Sequence, residues 1–167
     1  PEHGVDLAAT QLEPQHLRQR GRDHHHRGQQ HRRLARLEGL ADEHRSVAEF
    51  AAAHALREYD GPCARSHGHN YKVEIVLRGE TLDGQEMLID FARLDRVLSP
   101  LIERVDHRNL NDIPPFDRVN PTAEAVAAWF FREMQSRIAQ ASGGRARLAA
   151  VRLWETPDSC VTYTEEA

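Results

Sequence analysis

The stretch Cys63-Ala64-Arg65-Ser66-His67-Gly68-His69-Asn70-Tyr71-Lys72-Val73-Glu74-Ile75-Val76-Leu77-Arg78-Gly79 carries both a fold signal and a chemical one. From His67 onward every second residue (His67, His69, Tyr71, Val73, Ile75, Leu77) falls on one face of an extended chain. Side chains alternate across a strand, so this spacing predicts a strand over 67–79 with a mostly apolar face. The two imidazoles at i and i+2 share that face. Gly68 between them suits close backbone packing on the opposite side.

Working outward, Ser46 to His54 also alternates, with Phe50, Ala52 and His54 together. It predicts a partner strand. Tyr59-Asp60-Gly61-Pro62 is turn chemistry between the two. Phe91, Leu94, Leu98, Leu101, Ile102 and Val105 recur at helical spacing, and Pro100 marks a local irregularity that can kink or split that helix. After Pro114-Pro115, Asn120-Pro121 predicts a second helix with Asn120 as N-cap and Pro121 at its first position. That helix is expected to reach about Ala141 and stop at Gly143-Gly144. Leu148–Glu155 and Ser159–Thr164 are the last two predicted strands. The order β-β-α-α-β-β defines an α+β fold: a four-stranded antiparallel sheet with helices covering one face. Its two open edges favour pairing with other subunits, so a homo-oligomer is expected.

The chain has 167 residues, enough for one domain with a real core, and a formal net charge of −4. That balance gives no footprint for nucleic acid. Two cysteines, Cys63 and Cys160, are too few for a disulfide framework, although a single bridge between them stays open. With no long apolar run and no signal-peptide pattern, no membrane association is expected, and the expected location is the cytoplasm. Residues 1–45 differ from the rest. They hold seven of the eleven histidines, much arginine and glutamine, and no aromatic residue. They read as a disordered, His/Arg-rich extension, with 46–167 as the folded domain. Within the extension, Leu34, Leu37 and Leu40 suggest a short helix near 31–43, and His24-His25-His26 reads as a solvated polar run rather than a metal site.

The remaining histidines, His54, His67, His69 and His107, all sit in candidate motifs. Strand alternation puts His54, His67 and His69 on facing positions. Three imidazoles suit zinc with one position open, the arrangement of a catalytic site. A thiol near such a cation ionises more readily and can act as base or nucleophile, which singles out Cys63. Alternatively, Cys63 is a fourth zinc ligand, and the metal is structural. Asp106-His107 reads equally well as plain loop residues or as a proton-transfer dyad. Glu155, near a strand end, reads as a surface charge. It could instead accept two parallel hydrogen bonds from an amidine-like edge.

Taken together these residues resemble the 6-pyruvoyl-tetrahydropterin synthase / 6-carboxy-tetrahydropterin synthase family. The matching text is Phe50-Ala51-Ala52-Ala53-His54, Cys63-x-x-x-His67-Gly68-His69-Asn70-Tyr71, Ile89-Asp90-Phe91, Asp106-His107-x-x-Leu110-Asn111, Asn120-Pro121-Thr122-x-Glu124 and Trp154-Glu155-Thr156. The likeness is collinear over about 46–165. Glu86 and Ala125 stand where the family often has Gly and Asn, and the first 45 residues have no counterpart in its usual architecture.

The resemblance implies the tunnelling fold (T-fold), in which subunits pair sheet edges into a barrel, commonly a homohexamer with active sites at subunit interfaces. It implies Zn2+ held by His54, His67 and His69. It implies Cys63 as catalytic base, Asp106 and His107 as its proton-relay partners, and Glu155 as the anchor of the pterin ring. The short Cys-x3-His-Gly-His spacing resembles the carboxy-forming branch of queuosine (7-deazaguanine) biosynthesis. The expected activity is therefore a zinc-dependent lyase on a pterin triphosphate. The alternatives are the pyruvoyl-forming activity of the sister branch and a non-catalytic structural-zinc module. A folate-serving branch uses a glutamate near the cysteine position, and none lies between Cys63 and His67. No residue is singled out for the triphosphate, although arginine is abundant and Lys72 is the single lysine.

Overall fold

The computed structural model describes residues 42–165. Residues 1–41 of the expected disordered extension, with its histidine run and nearly all of its candidate helix, lie outside these residues. Asp42 and Glu43, the last two residues of that helix as predicted, belong instead to the first strand.

The elements are β1 (Asp42–His54), β2 (His67–Gly79), α1 (Phe91–Val105), β3 (Arg108–Asn109), α2 (Ala123–Ser142), β4 (Arg147–Thr156) and β5 (Ser159–Tyr163). β1 starts four residues before the predicted Ser46, because the alternation continues back along its whole pairing with β2. The sheet has five strands in the order β3-β1-β2-β4-β5. Sequence had predicted four: β3 is two residues long, too short for any periodicity, and it pairs parallel to Ala52 and Ala53. The other pairings are antiparallel, as expected.

One sheet face is apolar and covered by the helices. Phe50, Tyr71, Val73, Ile75, Leu77, Val151 and Leu153 are buried there. α1 contributes Leu94, Leu98, Leu101 and Val105, and α2 contributes Val126, Phe130, Phe131, Met134 and Ile138. A register shift between Val76 and Leu77 opposite β4 interrupts the alternation, and both of these neighbours are buried. The helix-free face is polar. Arg152 pairs there with Glu74 at 2.7 Å, and the Lys72 ammonium lies 4.7 Å from the Trp154 ring centre.

α1 has the predicted limits and runs unbroken through Pro100. Asp90 caps it by accepting from the Ala92 N–H. Phe91, expected on its core face, is 60% exposed; it sits in the first turn, its ring 6.0 Å from that of His44. α2 begins later than predicted. Its N-cap is Thr122, whose hydroxyl accepts from the Ala125 N–H, and not Asn120. Asn120 is diverted because its amide is engaged elsewhere, with the backbone of Arg57. Gly143 closes the helix at φ 64°, a conformation glycine adopts without steric cost.

Candidate metal centre and flanking dyad

Register brings the three histidines together. His54 lies directly opposite His67, and Ala52 lies opposite His69. All four point to the helix-covered face at the end of the β1–β2 ladder. Alanine at position 52 leaves room for the His69 ring, which sits 5.2 Å from that of His54 and 5.0 Å from that of His67. One ligand-capable atom from each histidine lies within 4.8 Å of those of the other two. On the opposite face, a Cβ at Gly68 would stand 3.3 Å from the Ala52 carbonyl oxygen, the close approach expected there.

Two of the rings are oriented by backbone carbonyls. His54 Nδ1 is 2.7 Å from the Pro121 carbonyl oxygen, and His67 Nδ1 is 2.8 Å from that of Arg65. A carbonyl can only accept, so each Nδ1 carries the hydrogen. Each neutral ring then directs a bare Nε2 lone pair inward, and the two Nε2 atoms are 3.1 Å apart. Two lone pairs at that distance repel unless a cation or a shared proton lies between them. Burial lowers the pKa of His54, which is 3% exposed, and so disfavours a proton there. Tetrahedral zinc, with nitrogens about 2.0–2.1 Å away, would separate them by ~3.3 Å. The donor set, its tautomers and its spacing fit a metal ion, and carbonyl-oriented imidazoles are the usual outer support of such sites.

Glu155 stands beside this cluster and not on an open surface. Its Oε1 is 3.9 Å from His54 Nε2 and 3.5 Å from the hydroxyl of the buried Tyr71, and its side chain is 26% exposed. A carboxylate held there, next to an imidazole cluster, has one edge free to accept hydrogen bonds.

Asp106 and His107 occupy the outer edge of β1. The Ala51 N–H donates to Asp106 Oδ1 at 2.9 Å, and the His107 N–H donates to the Ala51 carbonyl at 2.6 Å. The second oxygen of Asp106 is 2.9 Å from His107 Nδ1. The carboxylate thus fixes the hydrogen on Nδ1 and leaves Nε2 as the basic nitrogen. These bonds hold the Asp106 carboxyl below its usual range. His107 is 82% exposed and adopts φ 54°, a left-handed conformation uncommon outside glycine and concentrated at functional sites. His107 and His69 line one open groove of about 520 Å³, which runs over Gly68, Asn70 and Arg108.

Cys63 sits half-buried in a single 3-10 turn, Pro62–Ala64. Its thiol is free, as is that of Cys160. Among the described residues no side-chain hydrogen bond joins Cys63 to Asp106 or His107. Three contributors were not singled out from sequence: the Pro121 carbonyl, Asn111 and Asn120. The Leu110-Asn111 and Asn120-Pro121 pairs were visible as motifs. Side-chain amides adjacent to loop residues gave no pointer to the strand end they would meet.

A five-stranded sheet backed by two helices, with three clustered imidazoles at one end, defines a T-fold enzyme. Residues 44–166 match the family described as 6-pyruvoyl tetrahydropterin synthase, and the chain belongs to that family. It is similar to a 6-carboxy-5,6,7,8-tetrahydropterin synthase of Synechocystis sp., 34% identical over 119 residues, covering 68% of this chain and 86% of that one. It is also similar to a dihydroneopterin monophosphate aldolase of Pyrococcus furiosus, 36% identical over 108 residues, covering 65% and 84%. The solved structure of Caenorhabditis elegans 6-pyruvoyl tetrahydropterin synthase superposes with a TM-score of 0.68 at 30% identity, covering 78% of this chain and 99% of that one. No helix among the described residues is long and apolar enough to cross a membrane.

Proposed function

We propose that the protein is a zinc-dependent lyase that converts 7,8-dihydroneopterin triphosphate and water to 6-carboxy-5,6,7,8-tetrahydropterin, acetaldehyde and triphosphate, a step of queuosine (7-deazaguanine) biosynthesis. The observation that carries the reading is the pair of inward-facing Nε2 atoms of His54 and His67, 3.1 Å apart, with His69 completing the cluster. The relative named 6-carboxy-5,6,7,8-tetrahydropterin synthase supports the choice of product.

His54, His67 and His69 would hold the ion. When bound, zinc supplies Lewis-acid polarisation of the substrate's side-chain oxygens. Glu155 would orient the pterin by accepting from its amidine-like edge, close enough to the cluster to present the side chain there. Cys63 would remove a carbon-bound proton of that side chain. His107, its Nδ1 hydrogen committed to Asp106, would move protons through Nε2. Burial lowers the pKa of His54 and so favours the neutral, ligating ring, while the Pro121 and Arg65 carbonyls fix the orientation of the His54 and His67 rings.

The test is mass spectrometry of the products that zinc-loaded protein forms from 7,8-dihydroneopterin triphosphate. Carboxy-tetrahydropterin with acetaldehyde is expected. A pyruvoyl product would move the chain to the sister activity. The absence of any product from a zinc-loaded oligomer would point to a structural metal. The aldolase-named relative makes the monophosphate the comparison substrate, and turnover of it in preference to the triphosphate would overturn the substrate assignment.

A further inference from the structure

The three residues after β1 are held on two sides. On one side, the Ala55 N–H donates to Asn111 Oδ1 at 2.8 Å, and Asn111 Nδ2 donates back to the Ala55 carbonyl at 2.9 Å. Two residues on, the Arg57 N–H donates to Asn120 Oδ1, and Asn120 Nδ2 donates to the Arg57 carbonyl, both at 2.8 Å. A carboxamide offers the same donor and acceptor as a peptide group. The two asparagines therefore imitate a neighbouring strand, pairing with alternate residues as a ladder would. On the other side, the intervening Leu56 N–H donates to the Cys63 carbonyl at 2.8 Å. The Arg57 guanidinium adds bonds to the carbonyls of Phe116 and Val119, at 2.8 and 2.6 Å.

This staple begins one residue after His54 and ends on the turn that carries Cys63. It also includes the loop whose Pro121 carbonyl orients the His54 ring. We infer that Asn111 and Asn120 are positioning residues that set, through the backbone of 55–57, the placement of both a metal-ligating imidazole and the Cys63 thiol. Among the described residues neither asparagine hydrogen-bonds to the three histidine rings or the thiol, so each acts through peptide groups. The inference rests on the proposed zinc and thiol roles, but its readouts do not depend on which product forms.

The experiment uses Asn111→Ala and Asn120→Ala, singly and together, in a Cys160→Ser background so that Cys63 alone reports thiol reactivity. Folding is checked by circular dichroism. Zinc affinity is read by competition with a chromogenic chelator, and Cys63 reactivity by its rate of modification with a disulfide reagent in the zinc-loaded protein. Loss of outer support around metal ligands commonly weakens binding about 10–100-fold, and a loss in that range is expected here. Cys63 modification should accelerate several-fold in the same variants, and kcat should fall with KM little changed. Asn120→Asp, which keeps the acceptor for the Arg57 N–H, should recover part of both effects. Folded variants with zinc affinity and thiol reactivity within twofold of the parent, whatever their thermal stability, would overturn the inference. If the double variant does not fold, the two Asn→Asp singles are read against the same thresholds. A parent that binds zinc yet makes another product would sink the functional reading and leave this one standing.

Discussion

At the scale of single residues, the proposed chemistry separates into groups with different readouts. Cys63→Ala should abolish turnover while leaving zinc content unchanged, because the three imidazoles alone complete the cluster; metal analysis beside the product assay checks both halves, and full retained activity would end the proposed role. His67→Ala should lose zinc as well as activity. Asp106 provides a pH signature. Its carboxyl titrates below the reference value of 3.8, chiefly because it accepts from the Ala51 N–H and secondarily because of His107. A depressed folded value means that its stabilising effect is complete above the unfolded pKa and disappears as acid takes the pH down through the folded one. Asp106→Asn should therefore flatten the fall in stability below about pH 4 relative to the parent, as read by urea midpoints across pH. An unchanged acid slope would show that the Ala51 contact contributes nothing in solution. How much of the site was legible varied residue by residue. The histidines were readable because strand alternation dictates side-chain direction. Cys63, Asp106 and Glu155 sit at turns and element ends, where no period fixes direction, so their surroundings emerge only once the backbone is placed.

At the scale of elements, long and strongly periodic segments came through. β2 and α1 have the predicted limits, because thirteen and fifteen residues give a pattern room to repeat. β3 did not, since two residues carry no period and its pairing depends on the Asp106–His107 contact with Ala51. The misplaced N-cap has a similar origin: Asn120 has the right chemistry for a cap, but a long-range partner, Arg57, outcompetes the local one. Thr122→Ala should thus cost about 1 kcal/mol of stability through loss of the true α2 cap. Gly79 gives a second element-level expectation. A Cβ there would overlap Leu88 Cδ1 and the Arg145 carbonyl oxygen, and the latter is backbone that cannot swing aside. Gly79→Ala should cost about 1–3 kcal/mol, the usual range for overpacking. A wild-type denaturant midpoint for either variant would contradict the contact assigned to it.

At the scale of the whole molecule, the sheet has unpaired borders among the described residues. Residues 42–50 of β1 lie outside the pairing with β3, and β5 is the far strand of the order. Open borders of this kind favour pairing between copies. Among the described residues no side-chain hydrogen bond joins Cys63 to the Asp106–His107 dyad, and we propose that a competent site is assembled across copies. Cys63→Ala and His107→Ala proteins, each inactive alone, should then recover activity when dissociated and reassembled together, because some interfaces would unite an intact thiol with an intact imidazole. No recovery in verified mixed oligomers would mean that both groups serve from one chain.

The Lys72–Trp154 pair has a practical corollary. Lys72 is the sequence's only ε-amine, and it stands on the helix-free face against an indole. If edge pairing closes the sheets into a barrel with the bulky helices outside, that face becomes the lumen. Acylation of one amine, followed as a change in tryptophan emission, would then be fast for dissociated subunits and slow for the closed ring. The chain thus carries its own optical gauge of assembly, with no label to introduce.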